Sequence, residues 1–296
     1  MKITVAGGSG FLGRALTSAL RSSGHSVAVL TRHPRESADV AWSPHNPSAP
    51  WTGRVRESDV VVNLAGESIA GQRWTAHRKA VLRDSRLMAT SALASAILAS
   101  PHPPVFVSGS AVGFYGTPGA APLTESSPSG TGFLAALCRD WEAAALEASR
   151  ATRVVLLRSG VVLATNGGAL PQLARPFWFL AGGPVGSGAQ YVSWIHLDDW
   201  VSMTAWAIAE NGISGPLNLT APNPVTNAEL AGSLASVIHR PALVRTPAVA
   251  VRLAVGEMAD EAILNGQRVL PAKAMAAGFA FHYPTIDAAL QAIYKK

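Results

Sequence analysis

Three glycines near the amino terminus have the spacing of a site for the pyrophosphate of a dinucleotide. Gly7, Gly10 and Gly13 follow the apolar run 3–6 and precede a helical pattern of leucines. The first glycine permits a sharp turn off a strand, the second lets the backbone approach the phosphates, and the third lets the helix pack closely on the strand. Free N–H groups at the amino end of that helix would donate to the phosphates. The alternative is a glycine-rich turn with a structural role only.

The end of the second expected strand indicates which dinucleotide would bind. That strand covers residues 25–30 and is followed by Thr31 and Arg32, with Arg35 close behind and no acidic residue before Glu36. NAD-binding proteins usually place Asp or Glu here, to accept hydrogen bonds from the ribose hydroxyls. A guanidinium instead suits the 2′-phosphate of NADP, through charge-assisted bidentate hydrogen bonds. We therefore predict NADP as the cofactor, and a solvated surface arginine is the alternative interpretation of Arg32.

Strands and helices alternate through the first half of the chain. The apolar run 59–66 predicts a strand buried on both faces, and a helix is expected over 75–99, where prolines stop it. A strand over 105–108, a helix over 133–149 and a strand over 154–158 follow. Repeated strand–helix–strand units with right-handed crossovers predict an α/β fold with a Rossmann-like, doubly wound parallel sheet.

The pattern changes after about Leu163, where glycine pairs interrupt a mostly apolar stretch. We predict an NADP-binding Rossmann domain over 1–165 and a smaller C-terminal substrate lobe over 166–296. Some segments of the lobe are expected to return to the main sheet. A further helix is expected near 200–209, with Asp199 as its amino-terminal cap.

The composition of the 296 residues limits the class of protein. Hydrophobic residues make up 48% and charged residues 14%, which is typical of a folded globular chain. Apolar runs stay short of the roughly 20 residues of a membrane span, and the chain begins with a strand rather than a signal peptide. We therefore expect a cytoplasmic protein without a membrane partner. The net charge is +6, but the arginines are scattered and no nucleic-acid-binding signature accompanies them, so nucleic acid is not expected as a partner.

Other side chains that could do chemistry carry less weight. The histidines lack the spacing of metal ligands, and the single Cys138 cannot form an internal disulfide or a cysteine metal site, so we expect no metal. Ser193 and residues 196–199 could be combined into a hydrolase triad, but Gly-x-Ser-x-Gly is absent around Ser193 and a structural role is favoured. The aromatic run 177–179 predicts either a wall of a substrate pocket or a contact between two copies in a homodimer.

Several motifs together resemble one family, the extended short-chain dehydrogenases/reductases. The similarity is greatest to its atypical epimerase-family branch, the YfcH-like sugar-nucleotide-epimerase-like proteins, and it covers nearly the whole chain. The motifs that carry it are residues 7–13, 63–67, 108–116, 158–163, 194–199, 266–271, 278–279 and 283–284. The resemblance implies a Rossmann-like fold, NADP binding and a C-terminal substrate lobe.

The resemblance also assigns roles to individual positions. Leu64 and Ala65 would contact the cofactor through their backbone, Arg86 would reach it from the long helix, and Val162 would lie near the nicotinamide. Ser110 occupies the position of the family's catalytic serine. An ordinary exposed arginine is the alternative for Arg86. The predicted cofactor contacts, from the glycine turn and the resemblance together, are Gly7, Gly10, Phe11, Leu12, Gly13, Thr31, Arg32, Leu64, Ala65, Arg86, Ser108 and Val162.

One feature of the family is missing from this chain. Enzymes of the family usually carry a tyrosine followed four residues later by a lysine, whose ammonium lowers the pKa of the tyrosine that acts as acid and base. No lysine lies between Lys79 and Lys273, and the aligned positions carry Leu134 and Cys138. The usual acid/base pair is therefore absent.

Three functions are consistent with this departure. The chain could be an NADP-dependent oxidoreductase or epimerase acting on an unknown small molecule, such as a nucleotide sugar, with Ser110, Tyr115 and Glu67 as candidate catalytic residues. It could bind NADP without turnover, as a redox sensor or partner-binding module. It could also support a cofactor-assisted isomerisation that needs only binding and positioning. Packing or a substrate contact is the alternative role of Tyr115.

Overall fold

The computed structural model describes residues 1–46 and 49–295 of the chain. In chain order its strands are β1 (Lys2–Ala6), β2 (Ser26–Thr31), β3 (Asp39–Ala41), β4 (Val60–Asn63), β5 (Val105–Ala111), β6 (Gly119–Leu123), β7 (Val154–Ser159), β8 (Val161–Ala164), β9 (Gly167–Gly168), β10 (Tyr191–Val192), β11 (Trp194–His196), β12 (Gly215–Leu219), β13 (Val225–Thr226) and β14 (Gln267–Val269). Its α-helices are α1 (Phe11–Ser22), α2 (Trp51–Arg56), α3 (Ala76–Leu98), α4 (Phe133–Leu146), α5 (Leu170–Trp178), α6 (Leu197–Ala209), α7 (Asn227–Val237), α8 (Ala248–Val255), α9 (Ala272–Ala276) and α10 (Ile286–Tyr294).

Seven strands of the described chain form the main sheet, in the order β12-β7-β5-β4-β1-β2-β3. Every neighbouring pair in this sheet is parallel. The strand order reverses between β1 and β4, since β2 and β3 extend the sheet on one side and β4, β5, β7 and β12 extend it on the other. This is the doubly wound arrangement predicted from the alternating pattern, and the expectation of an α/β, Rossmann-like fold is confirmed.

Both faces of the main sheet are buried, as the unbroken apolar strands require. Successive residues of a strand point to opposite faces. Val62 and Leu157 therefore pack with residues of α1 and α6, whereas Val61, Phe106 and Leu156 pack with residues of α2, α3 and α4. The sheet is held between two helical layers, which leaves its strand ends as the places where loops can form a site.

The C-terminal part of the chain builds small sheets beside the main one. They pair β10 with β13, β14 with β6, and β11 with β8 and β9. Helices α7 and α10 cover this region through Trp194, Leu230, Leu234 and Leu290, which are almost fully buried. β12 lies downstream of residue 165 yet forms the edge strand of the main sheet beside β7. The boundary between the two expected domains stays a prediction.

Several elements differ at their ends from the sequence-based expectation. α3 begins at Ala76 because the hydroxyl of Thr75 caps it and accepts from the backbone N–H of Arg78 at 3.1 Å. β5 runs on to Ala111, beyond the predicted end of the strand at 108. The helix expected over 133–149 leaves α-helical geometry after Leu146 and continues as a 3₁₀ turn. None of the described helices is long and apolar enough to span a bilayer.

The expectation that Asp199 caps the helix near 200–209 is wrong. His196 is the cap, since its Nδ1 accepts from the backbone N–H of Asp198 at 3.0 Å, and α6 begins at Leu197. The fully buried carboxylate of Asp199 instead accepts from the backbone N–H groups of His282 at 2.8 Å and Tyr283 at 2.9 Å. Its Oδ1 also lies 3.0 Å from Nδ1 of His282. Asp199 thus fastens a C-terminal loop to α6.

Substituting Asp199→Ala is expected to lower the free energy of unfolding by about 2–4 kcal/mol, because it leaves two backbone N–H groups without their acceptor. Urea denaturation of the full chain measures this. Asp198→Ala is the matched control, because that side chain is 66% exposed and lies 3.7 Å from His196. The control is expected to shift stability by less than about 1 kcal/mol. Equal effects of the two substitutions would show that the Asp199 contacts do not fasten the loop.

Candidate functional site

The predicted cofactor residues gather at the carboxyl edge of the main sheet. Gly7 directly follows β1, Thr31 ends β2, Leu64 follows β4 and Ala111 ends β5. Ligand sites of open parallel sheets lie at this edge, where the strand order reverses. β1 and β4 are the strands at the reversal. The structure therefore places the glycine turn and residues 63–67 side by side.

In the glycine turn, backbone approaches backbone so closely that side chains are excluded. Gly7 has a φ of +77°, and a Cβ on it would lie 2.6 Å from the carbonyl of Leu64. A Cβ on Gly13 would overlap the carbonyl oxygen of Gly7. Gly10 precedes α1 without any side-chain hydrogen bond to cap the helix. The first N–H groups of α1 are thus left for an anion, which is what phosphate binding at a helix terminus requires.

A buried asparagine fixes the second turn of the site. Asn63 ends β4 and is fully buried. Its Oδ1 accepts from the backbone N–H of Ala65 at 3.1 Å, and its Nδ2 donates to the hydroxyl of Thr90 on α3 at 2.8 Å. The backbone of Leu64 and Ala65 is therefore held against Gly7. This role of Asn63 was not predicted, although a polar residue that ends an otherwise apolar strand is a signal for one.

Arg86 is buried beneath the same turn rather than exposed on α3. It is 7% exposed, and its Nη2 donates to the carbonyl of Glu67 at 3.0 Å while its Nη1 donates to the carbonyl of Leu82. A Cβ on Gly66 would lie 3.1 Å from it, and its guanidinium lies 5.2 Å from the ring of Trp141. Burial lowers the pKa of Arg86 below its ordinary value. Arg86 supports the turn after β4; its contact with the cofactor stays a prediction.

A cavity of about 710 Å³ lies between the glycine turn and the end of β2. Ser9, Arg14, Thr31, His33 and Arg35 contribute to its lining. Thr31 is a predicted site residue, whereas Arg14 and Ser9 are additions that the sequence analysis missed. The predicted Arg32 follows Thr31, is exposed and does not line this cavity. Arg14, exposed on the first turn of α1, would have been found by asking which cations face the glycine turn.

Two acidic residues, Glu36 and Asp39, also line this cavity, together with Arg21 of α1. The carboxylate of Glu36 lies 3.1 Å from Arg21. Asp39 accepts from the backbone N–H groups of Arg35 at 2.8 Å and Glu36 at 3.0 Å. Arg14 donates to the carbonyl of Ser9, so its charge is not cancelled by a carboxylate. The charged lining of the cavity is therefore Arg14, Arg21 and Arg35 against Glu36 and Asp39, a net charge of +1. Because neither carboxylate forms an ion pair with Arg14 or Arg35 in the described chain, the cavity can offer guanidinium donors to a phosphate.

At the other end of the site, two predicted catalytic residues join a buried ionic network. Arg158 on β7 donates to both carboxylate oxygens of Glu142 on α4, each at 2.8 Å. Ser110 donates to the same carboxylate at 2.6 Å. Tyr115 accepts from Arg158 at 2.9 Å and donates to Asn218 at 2.7 Å. The network ties β5, β7, β12 and α4 together below the expected nicotinamide position.

The environment of Tyr115 favours the neutral phenol. The side chain is 1% exposed and its hydroxyl has a partner on each side. Burial raises the pKa of Tyr115 above its ordinary value, although Arg158 opposes this shift. A phenol with a raised pKa stays neutral and can donate a hydrogen bond, but it gives up its proton less readily than an ordinary tyrosine. Its catalytic role stays a prediction.

The helix positions that usually hold the tyrosine and lysine are apolar here. Leu134 and Cys138 both face Gly113, where an added Cβ would lie 3.2 Å from Leu134 and 3.9 Å from the Cys138 sulfur. Burial raises the pKa of the Cys138 thiol to about 12, so it stays protonated. Neither side chain can supply the missing acid/base pair. Glu67, by contrast, keeps a side chain that is 40% exposed, with its carboxylate 3.7 Å from Arg78.

The remaining predicted residues lie on β5, β8 and α1, and their contacts with the cofactor stay predictions. Val162 is 8% exposed on β8, and Ser108 is fully buried in β5. Leu12 lies half-buried on the first turn of α1, next to Phe11. The ring of Phe11 packs on β9, where a Cβ on Gly168 would lie 3.2 Å from it. The segment that opens the C-terminal half therefore rests directly on the start of α1.

A carboxylate from the C-terminal part closes the amino end of α4. Glu261 accepts from the backbone N–H groups of Phe133 at 2.9 Å and Leu134 at 3.0 Å. Nearby, Lys79 on α3 forms an ion pair with Glu257 at 2.8 Å. A carboxylate at a helix amino terminus satisfies free N–H groups and interacts favourably with the helix dipole. No local sequence pattern signals this cap, because Glu261 and Phe133 lie 128 residues apart in the chain.

The hydrolase alternative does not fit the structure. Ser193 donates to the carbonyl of Gln267 at 2.6 Å and accepts from the backbone N–H of Val269 at 2.9 Å. Asp199 binds the loop at His282, as described above. Ser193 thus has the structural role that the sequence favoured. Within residues 1–46 and 49–295, no three His, Cys, Asp or Glu side chains form a group that could hold a metal ion.

Substituting Glu142→Ala is expected to destabilise the fold by about 3–5 kcal/mol, because it leaves the charge of Arg158 buried and unpaired. Asp140→Ala on the same helix is the control. Its ion pair with Arg83 is about half exposed, so a loss below about 1 kcal/mol is expected. Denaturant unfolding compares both. Replacing Glu142 and Arg158 together by leucine is expected to cost less than Glu142→Ala; a larger cost would contradict the ionic explanation.

Comparison with known proteins gives the family. Residues 3–219 match the model of the NAD dependent epimerase/dehydratase family, and residues 246–293 match a domain of unknown function, DUF1731. The chain is 43% identical to the epimerase family protein ML0860 of Mycobacterium leprae over 290 residues, which cover 97% of this chain and 94% of that protein.

Solved structures agree with this assignment. Human epimerase family protein SDR39U1 (isoform 2), crystallised with NADPH, superposes with a TM-score of 0.90 at 34% identity over the whole of both chains. A nucleoside-diphosphate sugar epimerase from Corynebacterium glutamicum gives 0.83 at 36% identity, covering 99% of this chain and 58% of that one. The chain therefore belongs to the NAD dependent epimerase/dehydratase family, as a member of the atypical extended short-chain dehydrogenases/reductases that its motifs resemble.

Proposed function

We propose that this protein binds NADP(H) at the carboxyl edge of the main sheet and carries out oxidoreductase or epimerase chemistry on a small molecule. The cationic cavity beside the glycine turn carries the proposal. Arg14, Arg21 and Arg35 line it together with Glu36 and Asp39, so the cationic side chains outnumber the carboxylates by three to two. A 2′-phosphate would find cationic donors there, and the pyrophosphate would find the open amino end of α1. The NADPH in the human structure supports this choice of cofactor.

We infer that the substrate carries an anionic group, with nucleotide sugars as the leading class. Arg268 on β14 is half-buried, and its guanidinium lies 5.3 Å from the ring of Tyr191. Its Nε is buried and has no hydrogen-bond partner among the described residues. A buried N–H without an acceptor is costly, and an anionic group of the substrate at Arg268 would supply one. The description of the Corynebacterium protein as a nucleoside-diphosphate sugar epimerase supports the same class.

We assign the proton-transfer step of this chemistry to Glu67, with Ser110 and Tyr115 in supporting roles. Glu67 lies two residues after Ala65, and its carboxylate is partly exposed. The hydroxyls of Ser110 and Tyr115 already donate to Glu142 and Asn218. Tyr115 is therefore proposed as a donor only, through its protonated phenol. The cofactor supplies hydride chemistry, and these residues orient the substrate and move its proton.

NADP(H) binding without turnover is the second candidate function. The observation that favours it is the pair Leu134 and Cys138, two side chains without acid/base capacity where the family usually has its catalytic tyrosine and lysine. In that case the bound nucleotide would act as a signal, and a partner would bind the C-terminal part only in one nucleotide-bound state.

Calorimetric titration is expected to show NADPH binding at least tenfold more tightly than NADH. Arg14→Ala and Arg35→Ala, which remove cations that line the cavity, are each expected to lower NADPH affinity by about tenfold to hundredfold, the loss expected for one charge-assisted hydrogen bond. Arg32→Ala tests the sequence-based assignment of the same contact to a residue outside the cavity lining. NADH affinity should stay unchanged in all three variants. Arg56→Ala is the control, since Arg56 ends α2 and therefore lies toward the amino edge of the sheet.

The cofactor proposal fails if NADH binds as tightly as NADPH, or if none of the three substitutions changes the ratio of the two affinities. A loss of both affinities together would indicate damage to the fold. Thermal unfolding of each variant separates that outcome from a specific loss of the 2′-phosphate contact.

Turnover is tested with NADP(H) and a panel of nucleotide sugars, followed by nicotinamide absorbance and by chromatography of the sugar products. Glu67→Gln is expected to lower kcat by at least about a hundredfold, the usual effect of losing a general acid/base. Its NADPH affinity should be unchanged. Arg268→Ala is expected to raise KM for anionic substrates mainly. Glu57→Gln, on an exposed pair with Arg54, is the control.

The outcome separates the two candidate functions. Product formation that depends on Glu67 supports the enzyme. Tight NADPH binding with no product from any substrate class supports the sensor. The cytoplasm stays the expected compartment, and a small-molecule substrate and a second copy of the chain stay the expected partners.

A further inference from the structure

A surface on the C-terminal part combines exposed apolar side chains with arginines and takes no part in the proposed cofactor site. We call it the lobe face, defined by Arg175, residues 178–180, Arg240 and residues 243–245. Its apolar side chains are unusually exposed: Phe179 is 75% and Leu243 86% exposed. Trp178, Leu180 and Val244 are each about half exposed or more. Contiguous surfaces of this kind usually mark a binding site.

The two segments of the lobe face lie side by side. The backbone N–H of Val244 donates to the carbonyl of Gly182 at 3.1 Å, and that of Thr246 donates to Pro184 at 2.9 Å. The guanidinium of Arg240 lies 5.4 Å from the ring of Trp178. The apolar residues that end α5 and those of residues 243–244 therefore form one continuous surface.

Helix α8 extends this surface. It begins directly after the segment that holds Thr246, and none of its residues is buried. Val249 and Leu253, one turn apart, are 64% and 73% exposed. Val255, at the end of α8, packs on the buried cluster of Trp74, Leu82 and Met258, whereas Val249 and Leu253 face solvent. Only one end of this short helix therefore gains from tertiary packing. Such a helix is stabilised when its exposed apolar side chains are buried in a lipid bilayer or against another molecule.

The charge of the lobe face has one sign. Residues 170–186 and 239–256 contain no aspartate or glutamate. Arg175 and Arg245 are exposed, and neither forms an ion pair within the described residues. Arg252 on α8 pairs with Asp260, outside these segments. The complementary partner is therefore anionic.

A second copy of this chain does not meet that requirement. A two-fold interface places the same surface on both partners, so the arginines would face each other without an acid between them. Phe179 and Leu243 also project as exposed tips rather than lining a groove. Projecting Trp, Phe and Leu side chains flanked by arginines are typical of elements that lie in the interface of an anionic bilayer.

We propose that the lobe face docks on an anionic phospholipid surface. Trp178, Phe179, Leu180 and Leu243 enter the boundary between headgroups and acyl chains, and Arg175 and Arg245 contact lipid phosphates. This peripheral contact revises the expectation of no membrane partner, which rested on the absence of a spanning segment. The proposal does not depend on turnover.

The test is co-sedimentation of the full chain with vesicles of phosphatidylcholine and phosphatidylglycerol, and with vesicles of phosphatidylcholine alone. Binding is expected only to the mixed vesicles and is expected to weaken in high salt. Phe179→Ser with Leu243→Ser should lower affinity by more than tenfold. Arg175→Gln with Arg245→Gln should lower it by about thirtyfold, from the contribution of two cations near an anionic surface.

Met88→Ser with Leu98→Ser is the matched control, since both side chains are exposed on α3, away from the lobe face. Vesicle binding should be unchanged in it, and NADPH affinity should be unchanged in every variant. Equal binding to both kinds of vesicle, or to neither, overturns the proposal. So does a dimer in sedimentation velocity that Phe179→Ser with Leu243→Ser dissolves, because the lobe face would then join two copies.

Discussion

The site depends on the contact between two backbone turns, one after β1 and one after β4. Only hydrogen fits where Gly7 meets Leu64, and where Gly13 meets Gly7. This closeness leaves the amino end of α1 open, so that its N–H groups can serve an anion. Asn63 sets the second turn through one hydrogen bond to Ala65 and another to Thr90 on α3. Asn63 therefore connects helix α3 to the turn after β4, and that turn packs directly on the glycine turn after β1.

The chemistry at the other end of the site is limited by a buried ion pair. Arg158 and Glu142 are each about 5% exposed, and a pair in that state is stable only when its hydrogen bonds are satisfied. Ser110 and Tyr115 provide some of those hydrogen bonds, Ser110 to Glu142 and Tyr115 to Arg158. If one of these hydroxyls exchanged a proton with a substrate, a hydrogen bond to a buried charged group would be lost. This constraint directs proton transfer toward the partly exposed Glu67, or toward groups of the substrate itself.

Local patterns made the fold and the cofactor end predictable. The glycine turn, the alternation of strands and helices, and Thr31 at the end of β2 are all read from neighbouring residues, and the NADPH of the human relative agrees with the predicted cofactor. Contacts between distant residues were not predictable. Glu261 caps α4 from 128 residues away along the chain, and Asp199 holds the backbone of His282 across 83. No spacing or composition signals such pairs, so the cap assigned to Asp199 was wrong.

These distant contacts also determine how the C-terminal part can affect the site. Carboxylates of Glu257 and Glu261 attach it to α3 and to the amino end of α4. α4 is the helix that carries Leu134 and Cys138 toward Gly113 and Glu142 toward Arg158. A displacement of α8 and of the π-helical turn at Ala259–Ile263 that follows it would therefore first change the contacts at that end of α4. A surface that binds the lobe face would therefore act on the substrate side of the site before it acted on the phosphate turn.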